Sequence, residues 1–188
     1  MKRLYIAGIG ALAIAASVPF FGEMPVLALR AGTIAQNVQQ RQTPVQLRLT
    51  ADKKVVQQDQ NGKQQVTWQP MQGKVVVQPG DVIRYTVSGA NSSDRPLKNL
   101  VVTQPIPKQT SYVLNSVTVN HTGAIVTYSI DNGKSFVEKP TIQVRLANGK
   151  VETRPAPAEL YTNVRWKFEA PVSPKTAVNA TYQVKVRS

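Results

Sequence analysis

After residue 44, apolar and polar residues alternate one by one in four separate stretches. In residues 45–50 the apolar set is Val45, Leu47 and Leu49, against Gln46, Arg48 and Thr50. In residues 82–88, Ile83, Tyr85 and Val87 oppose Arg84, Thr86 and Ser88. In residues 163–169, Val164, Trp166 and Phe168 oppose Arg165, Lys167 and Glu169. In residues 180–187, Tyr182, Val184 and Val186 oppose Gln183, Lys185 and Arg187. Successive side chains of a strand point to opposite faces, so period two puts one set in a core and the other in water. No stretch of helical spacing follows the first 28 residues. The pattern predicts an all-β chain of antiparallel, half-buried strands, with Trp166 and Trp68 as core anchors.

Turn chemistry agrees with it. The tripeptide Asn-Gly-Lys occurs at Asn61-Gly62, Asn132-Gly133 and Asn148-Gly149. Asn-Gly tolerates the positive φ angles of a two-residue type I′ hairpin turn. Such turns set Val55 opposite Trp68 and Gln57 opposite Val66 in the first hairpin. In the second they set Ser129 opposite Phe136 and Asp131 opposite Lys134. In the third they set Leu146 opposite Val151 and Arg145 opposite Glu152. Pro79-Gly80 sits at the centre of a further turn. Residues 89–96, GANSSDRP, read as a connection whose Asn and Ser side chains bond their own backbone. A calcium loop needs several acidic oxygens at alternating positions, and here a single Asp94 is followed at once by Arg95. The strand formed by residues 181–187 is expected to offer an exposed edge. The sum is a β-sandwich of about seven to nine strands.

The start of the chain adds location. Lys2 and Arg3 precede an apolar run from Leu4 to Phe21, and Val26 and Ala28 occupy the −3 and −1 positions of a small-residue cleavage site. This is the layout of a secretory signal peptide. Residues 1–28 are therefore expected to be removed, and an uncleaved segment would tie the protein to the membrane. Residues 29–44 form a Gln-rich, flexible lead-in, and residues 45–188 the folded domain. The chain has no cysteine, which excludes disulfides, thiolate metal sites and thiol nucleophiles.

Charge changes the picture of the surface. Lys and Arg number 23 against 10 Asp and Glu, a net charge of +13. An exported protein of this kind meets acidic polysaccharide, cell-wall polymer and lipid headgroups, not a specific nucleic acid. The basic residues fall on the outward positions of strands, so Arg84, Arg145, Arg165, Lys167, Lys185 and Arg187 are the candidate polyanion contacts. For enzymatic chemistry the sequence offers little. His121 is the only histidine and lies at a turn, expected to be exposed. With no second histidine and no cysteine there is no zinc set, and the acids are scattered among turns and cross-strand partners. No catalytic, metal or cofactor residue is assigned. Trp68 has a second reading as a polysaccharide-stacking residue.

Pro79-Gly80-Asp81, Tyr85, Asn91, Asn99 to Thr103, Ile106-Pro107, Tyr112-Val113 and Ser116 follow one another in a recognisable order, closed by the Trp166 strand and the alternating last strand. Over residues 74–187 this resembles the conserved-repeat module of bacterial exported proteins called domain of unknown function eleven. The resemblance implies an immunoglobulin-like sandwich placed in the periplasm, on the cell surface or outside the cell, and no common reaction. Gln104 stands where the family usually carries an acid, and the chain holds one copy where the family is usually tandem. The expected function is a non-catalytic structural or adhesive envelope protein, partnered by another envelope protein. The alternative is a polyanion binder working through the outward Lys and Arg.

Overall fold

The structure is a computed structural model describing residues 4–5, 15–17, 45–73 and 75–188. The expected signal peptide, its cleavage site and the lead-in lie outside the described residues, except for two short backbone strands, β1 (Leu4–Tyr5) and β2 (Ala15–Ser17). The folded domain runs through β3 (Val45–Gln58), β4 (Gln64–Pro70), β5 (Val76–Val77), β6 (Val82–Asn91) and β7 (Val101–Pro105). It continues with β8 (Thr110–Tyr112), β9 (Thr118–Val119), β10 (Ala124–Ser129), β11 (Thr141–Arg145), β12 (Val151–Pro155), β13 (Asn163–Phe168) and β14 (Ala177–Val186). Twelve strands thus follow residue 44 where about seven to nine were expected. The surplus consists of two-residue pieces such as β5 and β9, and of the separate β11–β12 hairpin.

Every pairing is antiparallel, and two sheets carry the domain. The larger runs β4-β3-β6-β14-β8, with β9 also on β14, and the smaller runs β10-β13-β7-β2. The chain crosses between the layers from β6 to β7, from β7 to β8, from β9 to β10 and from β13 to β14. The alternation seen in the sequence supplies the core. Ile83, Tyr85 and Val87 of β6, Tyr182, Val184 and Val186 of β14, and Val164, Trp166 and Phe168 of β13 are all buried in one cluster. Tyr85 stacks on Tyr182 at 5.3 Å, and Tyr182 meets Trp166 of the opposite sheet at 6.0 Å. Toward one end, the Tyr112 hydroxyl donates to the Tyr128 hydroxyl at 3.1 Å, joining β8 to β10 across the layers.

Three expectations are corrected. The strand around residues 181–187 is not an edge: β14 is flanked by β6 on one side and by β8 and β9 on the other. Its alternation reports half-burial of one face, which an inner strand of a one-side-solvated sheet shares with an edge. The first and third Asn-Gly hairpins are out by one residue. Val56 faces Val66 and Lys54 faces Trp68, while Arg145 faces Val151 and Val144 faces Glu152. In both, only the glycine has positive φ (Gly62 +75°, Gly149 +81°), so the loops have three residues with the glycine left-handed. Asn132 (+61°) and Gly133 (+83°) are both positive, and there Tyr128 faces Val137 in the expected register.

Trp68 is the third correction, being only half-buried and outside the core. β3 pairs with β6 as far as Lys53 and then continues with β4 alone. Core-facing residues of β3 are the odd ones, Val45 to Ala51, so Lys54 and its partner Trp68 lie on the opposite face, with Asp52 and Arg84. Trp68 faces outward, and the Arg84 guanidinium covers its ring at 4.3 Å.

Candidate functional site

The residues that looked most like a ligand site close a loop. Asn91 is buried, and its Nδ2 donates to the carbonyls of Arg95 (2.8 Å), Val172 (3.0 Å) and Ser173 (3.2 Å). Its Oδ1 accepts from the Ser93 amide and hydroxyl at 3.1 and 2.7 Å. One side chain therefore ties the β6–β7 connection to the segment before β14. Asp94 lies outside this knot, exposed and paired with Lys175 at 3.0 Å.

Other acids have the same occupation. Asp131 accepts from the Ser129 hydroxyl and from the amides of Lys134 and Ser135 at 2.6, 3.1 and 3.0 Å, which holds its carboxyl well below the usual carboxylate range. Asp81 accepts from the Gln78 amide at 2.7 Å and pairs with Lys53 at 2.6 Å, fixing the Pro79-Gly80 turn. Asp59 accepts from the amides of Asn61 and Lys63 within its own loop. Among the described residues no three His, Asp or Glu side chains converge to hold a metal ion. His121 is half-buried instead of exposed, its ring edge-on to Phe168 at 5.4 Å.

The six candidate polyanion contacts fall in separate places. Arg84 lies on the outer face of the larger sheet, bonded to Asp52 at 2.9 Å. Arg165 and Lys167 lie on the outer face of the smaller sheet. Arg165 sits 3.4 Å over the Phe136 ring and donates to the Thr103 hydroxyl, while Lys167 pairs with Glu169 at 3.2 Å. Burial lowers the Arg165 pKa from its usual value. Arg145 ends β11 in the isolated hairpin and is exposed. Arg165 and Lys167 share one face two residues apart, and Lys185 and Arg187 come together at the end of the sandwich where β14 finishes.

Two open clefts meet there. One, of about 690 Å³, is walled by Pro105, Lys108, Tyr161, Asn163 and Arg187. Its neighbour, of about 570 Å³, is walled by Gly80, Tyr112, Lys185, Arg187 and Ser188. Arg187 stands between them, its Nε donating to the Thr110 carbonyl at 2.8 Å and its Nη2 to the Glu159 carbonyl at 3.2 Å. These bonds hold the guanidinium against the β8 backbone and leave its charge at the mouth of both clefts. Lys108 was not among the candidates, because a lysine in a connection carries no strand periodicity to mark it. Burial, and then the bond to Tyr128, raises the Tyr112 pKa far above the ordinary phenol range, so this wall stays neutral. Arg187, Lys185 and Lys108 face one acid, Glu159, across this end. Comparison with protein-family models, curated proteins and solved structures finds no match to this chain.

Proposed function

We propose that the protein is a non-catalytic, exported module of the bacterial cell envelope, an immunoglobulin-like sandwich that works by holding a shape and making contacts. The observation that carries this reading is Asn91. The side chain at the centre of the most ligand-like motif is buried and bonded to three backbone carbonyls of its own chain. The basic n-region and small-residue cleavage site support export, and the ordered motifs of residues 74–187 support the envelope setting. A second reading, polyanion binding, draws support from Lys108, Lys185 and Arg187 around the paired clefts.

One experiment tests both. The full chain is produced with its own leader in a bacterial host, the cells are fractionated, and binding of the exported protein to isolated envelopes is followed against salt. Envelope binding that changes less than about threefold between roughly 50 and 200 mM salt supports contact by shape. A fall of about 10³ or more, as counterion release gives for six or more phosphate-like contacts, makes the polyanion reading the right one. Retention in the cytoplasm overturns both.

A further inference from the structure

The strand β4 is the outer strand of the larger sheet, and its far edge meets no other strand among the described residues. The remaining edges are occupied, short or charged: the free part of β3, residues 45–50, carries Arg48, and the separate β11–β12 hairpin carries Arg145, Glu152 and Arg154. β7 is paired by β2, β10 makes a bridge to Val137, and β8 is three residues long. β4 has seven residues, Gln64–Pro70, and none is charged. In a chain of net charge +13, two copies repel over most of their surface. Natural edge strands are usually guarded by Lys, Pro or a bulge, and this one has only Pro70, at its last position.

Which backbone groups are free follows from the hairpin. The Asp59 amide donates to the Lys63 carbonyl, and the Met71 amide to the Ala51 carbonyl. Antiparallel pairs alternate between bonded and non-bonded. Gln65, Thr67 and Gln69 therefore bond to β3, while the amides of Gln64, Val66 and Trp68 point away from the sheet. So do the carbonyls of those three residues and of Pro70. Proline, which has no N–H, stands at the end of this outward set and takes no donor from β3.

We propose that β4 is a homotypic docking edge, on which a second copy of this chain pairs its own β4 antiparallel about a two-fold axis through Thr67. In that register Val66 and Trp68 of opposite copies exchange both backbone bonds, on each side of the axis. The Gln64 amide of each copy donates to the Pro70 carbonyl of the other, which makes six bonds in all. Val56 (51% exposed) and Val66 (49% exposed) lie side by side across β3 and β4. Trp68 of the second copy extends that row and covers it, an aromatic–β-branched cross-strand pair. Gln65 faces Gln69, and Thr67 faces its own copy. No like charges are opposed, and the two larger sheets become one.

The test uses the two-fold axis, because only there does a residue face itself. The full chain, exported by a bacterial host, is measured by sedimentation velocity across a concentration series. The wild type dimerises. Thr67→Lys and Thr67→Glu each weaken the dimer by about tenfold or more at low salt, since like charges are set opposite each other. An equimolar mixture of the two variants dimerises again. Val66→Pro, which deletes an outward donor and leaves every β3–β4 bond in place, also weakens the dimer by about tenfold or more. Far-UV circular dichroism and melting confirm that each variant is folded. Three results overturn the proposal: a wild type that stays monomeric through about 1 mM, a dimer indifferent to Thr67→Lys and Val66→Pro, or a mixture that remains monomeric.

Discussion

Gln104 sits on the inner face of β7, opposite Val164, and is 0% exposed. Neither its Nε2 nor its Oε1 has a hydrogen-bond partner among the described residues, and Trp166 Nε1 in the same core is also without one. A buried amide left unpaired costs about 1–3 kcal/mol on the scale of protein mutations. Methionine has a similar length and flexibility and fills irregular core space without polar atoms. Gln104→Met therefore removes the desolvation cost at little loss of packing, and is expected to stabilise the domain by about 1–3 kcal/mol. For a domain of this size that is roughly 2–4 °C in Tm per kcal/mol. The assay is urea unfolding followed by tryptophan fluorescence, with the m-value compared between the two proteins. An unchanged m with a raised midpoint is the expected result. A fall of about 1 kcal/mol or more at unchanged m refutes the reasoning, because the amide must then be bonded, as it would be through a buried water shared with Trp166. Gln104→Glu separates the cases further. A buried, unpaired carboxyl should destabilise the fold at neutral pH and recover as pH falls and the group is neutralised.

Trp166→Ala empties a fully buried aromatic site between the sheets and should cost about 3–5 kcal/mol in urea melts, whereas Trp68→Ala loses an outer-face stack with Arg84 worth about 1 kcal/mol. Comparable losses at the two positions would contradict the assigned burial. Asn91→Ala removes a buried amide that bonds three carbonyls, of which Val172 keeps the Leu97 amide and Ser173 the Thr176 hydroxyl as donors, and should cost about 1–3 kcal/mol. A thermal melt within one degree of wild type would show that the knot does not hold the loop. Asp131 has a depressed native pKa, so its contribution is fully present above the ordinary carboxylate range and is lost as pH falls toward its native value. Asp131→Asn should lower stability at pH 7 and flatten the acid side of the stability–pH curve between about pH 4 and 2. An acid slope equal to that of wild type would remove Asp131 as its source.

Several parts of this molecule were legible from the residues alone. Strict alternation in β6, β13 and β14 named the core side chains correctly, because a strand has no third face on which to put them. The stretch around residues 89–96 was only partly legible: Ser93 bonds Asn91 and Arg95 close by, as local Asn and Ser chemistry predicts, but β6 runs on to Asn91 and that side chain also bonds Val172 and Ser173, far along the chain. Registers were less legible. Asn-Gly fits a two-residue turn and equally a three-residue loop with the glycine left-handed, and the two differ by one residue in every pair beyond.

What sequence determined by itself is the class of structure and the sign of its surface: period two, turn residues at intervals, and basic side chains on outward positions of several strands. These are properties of neighbours along the chain. The tertiary structure decided whatever depends on neighbours across it. It placed β14 inside the sheet instead of at its edge, shifted the β3–β4 register by one residue so that Trp68 pairs with Lys54 on the outer face, and sealed Gln104 in the core. It also brought Lys108, Lys185 and Arg187 to one end while scattering Arg84, Arg145, Arg165 and Lys167 over other surfaces. Alternation states only that a side chain faces a layer. Whether a second layer lies opposite, and which strand comes next, is settled by packing over distances that no local pattern encodes.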